Sequence, residues 1–539
     1  MKRILSLVLI VSLLTAPLSL AAIAEDSQSE RVLNWFAAGE VTTMDTAKSY
    51  DTVSGQAQSL FSDPLYRTLA GNIVVPNLAT ELPTASEDGL TLSVTIRDDA
   101  YYSNGEKIVA ADIVYAAQRV VDPETGSQSA KSLDFLLNAD EIIAGEKDPS
   151  ELGVKAISDT ELEFQLAAPS PFVNDQLATG LLSPVKQSFV EEQGDAYALT
   201  ADAIIYPGPF SLTDWNGTDV EWSYVKNPYY WDADNVYFDE IHFTVVKEVS
   251  TGINLYDAGQ LDAVAISGDY VPLYRGTDDL LTVQSLRMTN LELGISSNEF
   301  LQNENLRHAL SYAIDRDELA NAILNGDAIP AVGVIPNGIA VNPETGASIA
   351  EDFGTLVYTD KEKALEYWNT ALSELGTDTV TLRLVTSDTD EQIKVGQYLQ
   401  SALQNALPGL VIDLANVPSS VRFDEMMSYD FDLALGGWTG DYDPTSYVKQ
   451  FETSYEHNHG QWVSDELTEL VNALEKTDGN DALLRWEHLK EANQYLVDNA
   501  VVVNLVQAAN SFLINPKLKG YTTTEFSSYP NIRYAYFDD

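Results

Sequence analysis

Apolar and polar positions alternate with a period of two over residues 90–97 (LTLSVTIR), the signature of a half-buried strand, and a turn-forming Ser103-Asn104-Gly105 follows. The period then lengthens. Ile113, Ala116, Ala117 and Val120 recur at helical spacing until Asp122-Pro123 stops them, which predicts a helix. Residues 161–166 (ELEFQL) and the stretch around 220–225 alternate again and predict two strands, the second ending at Lys226-Asn227-Pro228. From Asn303 onward, Leu306, Ala309, Leu310, Ala313 and Ile314 fall on one helical face, the clearest such stripe in the chain. Asp315 and Glu318 then make a capping-box pair opening a second helix, with Leu319, Ala322 and Ile323 as its buried stripe and Gly326 at its C-cap.

Farther on, residues 379–385 (TVTLRLV) alternate, residues 392–406 read as helix, Pro408-Gly409 breaks it, and residues 411–414 and 430–435 (DFDLAL) return to strand. This β-α-β-α-β order predicts an α/β protein whose C-terminal half holds a largely parallel sheet covered by helices. Repeats, low-complexity tracts and long linkers are not evident, and short connections between parts suit a hinge.

The first residues change the picture. Met1-Lys2-Arg3, an apolar run over 4–20 and Ala22-Ile23-Ala24 form a basic, apolar and small-residue series, so residues 1–24 are expected to be a signal peptide. An uncleaved anchor is the alternative; Pro17 and the Ala-rich exit favour cleavage before Glu25. No later run approaches the roughly 18 apolar residues of a membrane span, so no direct membrane insertion is expected after cleavage. At 539 residues the chain exceeds one growing core, and at least two domains are expected. Cysteine is absent, which excludes disulfides, thiol catalysis, Cys-ligated metals and lipid attachment at a processed N-terminal Cys. A formal charge of -52 argues against nucleic-acid binding and polybasic membrane contact, and reads first as a solvated, soluble surface.

Several stretches in one order carry a resemblance. They are Gly89-Leu90-Thr91 with Tyr102-Ser103-Asn104-Gly105 and 114–123 (VYAAQRVVDP), Gly208-Pro209-Phe210 with 226–232 (KNPYYWD), Leu306-Arg307-His308-Ala309-Leu310 with Ile314-Asp315-Arg316, and 437–444 (GWTGDYDP). Together they resemble the solute-binding proteins of bacterial oligopeptide and dipeptide ABC importers, extracellular solute-binding family 5. The resemblance implies a two-lobed periplasmic-binding-protein-like fold with a hinge and three interleaved domains. The first would comprise residues 25–68, 203–288 and 507–539, the second 69–202 and the third 289–506, with the ligand between first and third. It also implies an exported, periplasmic or otherwise extracytoplasmic monomer. Such a protein captures peptides, passes them to a membrane permease, and needs no cofactor.

Independently of that family, Gly436-Gly437-Trp438-Thr439-Gly440-Asp441 begins where a predicted strand ends, the place where open α/β sheets bind ligands. Gly436, Gly437 and Gly440 would let a ligand backbone approach and pair as an added strand, Trp438 offers a flat wall, and Asp441 a carboxylate for an ammonium. The alternative is a Gly-rich turn with Asp441 as a cap. The resemblance implies that Asp441 holds the peptide α-amino group, with Thr439 and Tyr442 in the same segment, and that a partner strand comes from Tyr50, Asp51 and Thr52. A surface loop is the alternative for that partner. Ser129 stands where a Tyr can line the site in relatives. Asp390, Met426 and Leu435 stand where His and Arg can receive a C-terminal carboxylate, and Asn504 replaces a usual Pro. One reading is a ligand of variable length or net positive charge; the other, which the sequence favours, is that the acidic excess is spread over the outer surface and leaves the cleft neutral.

The competing classes are a non-peptide solute, such as an oligosaccharide or metal complex, and a secreted hydrolase using paired carboxylates. With 82 acidic residues any such pair has little specificity, and no nucleophile elbow, zinc helix, P-loop or dinucleotide fingerprint occurs. His457-Asn458-His459 has the i, i+2 spacing of a polar loop, and Tyr237 fills the position an EF-hand loop starting at Asp232 gives to Gly. No catalytic residue and no required metal are expected.

Overall fold

The computed structural model describes residues 31–538 apart from 71, 72, 441, 480, 525, 527 and 528; the expected signal peptide and the following six residues lie outside the described residues. Three large hydrophobic cores organise them. The first is built on a four-stranded sheet in the order Val32–Ala37, Glu240–Val245, Glu221–Lys226, Phe210–Thr213, its first pair parallel and the others antiparallel. Alternation puts Trp222, Tyr224 and Phe243 on the inner face, where Trp222 and Phe243 stack at 5.3 Å, and the chain's end returns Phe512, Ile514 and Ile532 to the same core.

The second core lies within residues 47–182. Thr91–Thr95 and Glu161–Gln165 pair in its antiparallel sheet, with Leu92, Val94, Leu162 and Phe164 inward as the period of two requires. Helix Ala110–Val121 covers it with the predicted stripe of Ile113, Ala116, Ala117 and Val120.

The third core spans residues 286–506 and is organised by a seven-stranded sheet. Val380–Ser387, Leu410–Val417 and Leu433–Trp438 run parallel with helices between them, as the sequence order predicts. The rest of the sheet does not. Leu280–Leu293 and Val503–Ile514 cross it antiparallel, so the sheet is mixed and the expected largely parallel arrangement is corrected. These strands carry one end into the first core and the other into the third, so no single inward face repeats along them and no clean alternation marks them.

Helix Glu304–Ala313 forms as predicted, capped by the Asn303 side chain accepting from the Leu306 N–H at 3.0 Å. Its successor differs. Asp315 caps it, but Leu319–Ile323 is wound as a π-helix, with Leu324 N–H bonded to the Leu319 carbonyl. The wider turn rotates the face, so Leu319 and Ala320 are buried and Ala322, expected inside, is exposed.

Candidate functional site

Asp45 caps Thr46–Lys48 and is held by both Nη atoms of Arg119, at 3.0 and 2.9 Å, which anchors the segment that follows. Ser49 and Asp51 are extended. The Asp51 carboxylate accepts the Ser54 N–H at 2.8 Å and its hydroxyl at 2.7 Å, and Thr52 opens helix Thr52–Gln58. Burial raises the Asp51 pKa, but the Ser54 and Thr42 donors outweigh it and hold the carboxyl below its ordinary range. Tyr50, Asp51 and Thr52 thus do not form a strand: an N-cap ends the extended run at Asp51. Ser129 fastens this segment to the second core, its hydroxyl donating to the Ser49 carbonyl at 2.6 Å.

Tyr50, Asp51, Thr52 and Ser129 share the wall of a cavity of about 600 Å³ with Tyr442 from the third-core part of the chain. Gly520, Thr522, Phe526, Tyr529 and Tyr534 close another side, where the Phe526 ring meets that of Tyr442 at 4.7 Å. Asp441, the residue expected to take a ligand ammonium, precedes Tyr442 and lies outside the described residues. Three charged side chains line the cavity among the described residues: Asp51, Arg67 and Arg533. Among the described residues this wall therefore does not carry the acidic excess of a chain of charge -52.

Gly437, Trp438, Thr439 and Gly440 are not part of that wall. Gly437 faces Thr289 across an antiparallel pair, and a Cβ there would stand 2.6 Å from the Met288 carbonyl oxygen. A Cβ on Gly440 would collide with the Ser446 hydroxyl and the Tyr447 ring. Both glycines are required by the protein's own packing. Trp438 is partly buried against the third core beside His457, with ring centroids 5.2 Å apart. Among the described residues its indole N–H has no hydrogen-bond partner.

Leu435 and Met426 are buried, and Asp390 is exposed at the first turn of helix Asp390–Ala406. Sequence reasoning missed the cations nearby. Arg422 donates to the Leu435 carbonyl at 2.8 Å and to the Ser387 hydroxyl at 2.9 Å. The Arg287 guanidinium stands 3.1 Å from where a Gly437 Cβ would be. Arg287 also lines a second cavity of about 470 Å³ with Asp327 and Glu391, which shares Thr52 and Tyr529 with the first. It sits where the ladder between the long strands is irregular, so no periodicity marks it. Behind the same strand the Asn504 amide donates to Asn290 at 3.0 Å, and burial pushes Glu292 up to about 7 despite an Asn290 hydrogen bond and the charge of Arg422. Among the described residues no group of three metal-ligating side chains gathers, and no helix is long and apolar enough to cross a membrane.

The sequence profile of the bacterial extracellular solute-binding proteins, family 5 middle region, matches residues 74–458. The chain belongs to this family. A family 5 relative, the dipeptide-binding protein of Lactococcus lactis subsp. cremoris, is 30% identical over 93% of this chain and 93% of its own. The solved structure of Listeria monocytogenes OppA bound to peptide superposes with a TM-score of 0.72 at 29% identity, covering 95% of this chain and 100% of that one. MppA, a periplasmic murein tripeptide-binding protein in its unliganded open form, shares the fold at a TM-score of 0.80 and 23% identity, covering 94% and 98%. The two-lobed α/β fold implied by the sequence resemblance is the fold of this family 5 protein.

Proposed function

We propose that this family 5 protein is exported, captures peptides, chiefly oligopeptides, in the cleft between its lobes, and as a monomer hands them uncleaved to the membrane permease of an ABC importer. The observation that carries this is the cavity of about 600 Å³, of ligand-site size and walled by three separate parts of the chain. The proposed domains are residues 25–68 with 203–288 and 507–539, then 69–202, then 289–506. The three cores support this division. Both crossings between first and third fall inside the neighbouring strands Leu280–Leu293 and Val503–Ile514, whose ladder slips between Gln284 and Met288, and there we place the hinge.

In this reading Asp441 receives the ligand ammonium, while Tyr50, Asp51 and Thr52 offer backbone and Ser129 and Tyr442 complete the wall. Closure brings Gly437, Trp438, Thr439 and Gly440 up to the ligand. Signal cleavage after residue 24 leaves the protein outside the cytoplasmic membrane, without a cysteine to carry lipid.

Incubating the purified mature protein with a random peptide library and identifying retained species by mass spectrometry tests the reading. Intact peptides should be retained, and at about 100 Kd they should stabilise the fold by about 2.7 kcal/mol. No retention, or fragments appearing in proportion to protein, overturns it.

A further inference from the structure

The main cavity contains two cations in different states. Arg533 is spent: its guanidinium donates to Asp63 at 2.9 Å, to the Ser59 carbonyl at 3.1 Å and to the Ser62 carbonyl, and it is almost fully buried. Arg67 is not. It lies on strand Tyr66–Leu69, paired across a short hairpin with Val75, and is half-buried in the cavity wall. Its guanidinium carbon lies over the Tyr534 ring, 4.7 Å from the centroid, and among the described residues its N–H groups donate no hydrogen bond. Among the described residues no carboxylate forms an ion pair with it. The remaining acid of the described wall, Asp51, is engaged by Ser54. Hydroxyl side chains dominate the surroundings, including Thr68, Ser132 and Thr179 on the same wall.

A planar fork of donors, placed over an aromatic ring and lacking an acceptor among the described residues, matches a carboxylate. We propose that Arg67 is a specificity residue that receives a carboxylate of the bound peptide, so that the cleft favours anionic over neutral ligands. This rests on the peptide-binding reading above. It runs against the alternative of a positively charged ligand, because the acidic excess of the chain is not carried by the described cavity wall. The carboxylate has two sources, an acidic side chain or the peptide C-terminus.

Calorimetry with four tetrapeptide probes separates them: tetra-alanine, its C-terminal amide, and amidated versions with Glu or Gln at an internal position. The full mature protein should prefer at least one carboxylate member over its neutral counterpart by about tenfold or more. Loss of preference on amidation assigns the terminus, and a Glu over Gln preference assigns the side chain. In Arg67→Ala the preference should collapse towards one, with neutral probes binding as in the parent. Arg67→Lys, which keeps charge but not the fork and preserves packing if the alanine variant fails to fold, should retain part of it. Arg287→Ala in the neighbouring cavity should leave it intact. Equal affinity within both pairs in the parent, a preference that survives in Arg67→Ala, or collapse in Arg287→Ala instead, overturns the assignment to Arg67 while leaving peptide binding standing. Retention of no peptide, in this set or in the library, overturns both.

Discussion

Glu292 shows how far one side chain departs from its composition. Its carboxyl titrates near 4.5 when solvated and near 7 in the fold, because burial disfavours the charged form. The native state thus keeps a proton that the unfolded chain has lost. Its burial costs nothing below about pH 4.5, a growing amount up to pH 7, and about 3 kcal/mol above. Glu292→Gln should therefore match the parent in stability at pH 4.5 and exceed it at pH 8 by up to that amount, measured by urea unfolding. An unchanged difference across this range would contradict the buried proton. Asp51 poses the opposite case, since its carboxylate serves the helix start. Asp51→Ala should lower stability by about 1 kcal/mol in thermal unfolding yet leave peptide affinity within about twofold. Asp441→Asn should instead spare stability and weaken peptide binding by about 2 to 5 kcal/mol. N-acetylation of the peptide should impose a similar loss on the parent and little more on the variant; additive losses in calorimetry would separate Asp441 from the α-amino group.

At the scale of elements, the paired long strands matter most, because they carry both crossings between the first and third cores. Their irregular stretch is fixed by Gln507, whose amide donates to the Ser285 carbonyl at 2.9 Å and the Asn337 carbonyl at 2.8 Å while accepting the Asn337 N–H at 2.9 Å. With the side chain only 2% exposed, truncation orphans three backbone groups that water cannot easily reach. Gln507→Ala should cost about 2 to 4 kcal/mol in urea unfolding and speed amide exchange over 284–290. The short strands, helix Ala110–Val121 and helix Glu304–Ala313 were legible because each buries one face against one core. The long strands and the π-turn at Leu319–Ile323 were not, because their faces change partner or rotate within a single element.

For the whole molecule, charge acts at two ranges. The -52 excess repels an anionic peptide before contact, whereas Arg67 favours it after. Stopped-flow association of a Glu-containing peptide should accelerate as ionic strength rises from 0.01 to 0.15 M and the Debye length shrinks from about 30 to about 8 Å. A Lys-containing analogue should slow over the same range. Rates that ignore salt for both would show that the outer charge is not felt at the cleft mouth.

The sequence alone determined the local periods, the family, and with it the two-lobed fold, because the alternation of buried and exposed positions within a short element is written in consecutive residues. It also singled out Tyr50, Asp51, Thr52, Ser129 and Tyr442, which meet at one cavity. Only the tertiary structure decided that Asp51 caps a helix, that Gly437 and Gly440 make room for Met288 and Tyr447, and that Arg67 faces the cavity with no carboxylate partner among the described residues. Those outcomes depend on which distant groups arrive within hydrogen-bond distance, and a residue's neighbours across the fold leave no period in its own stretch of chain.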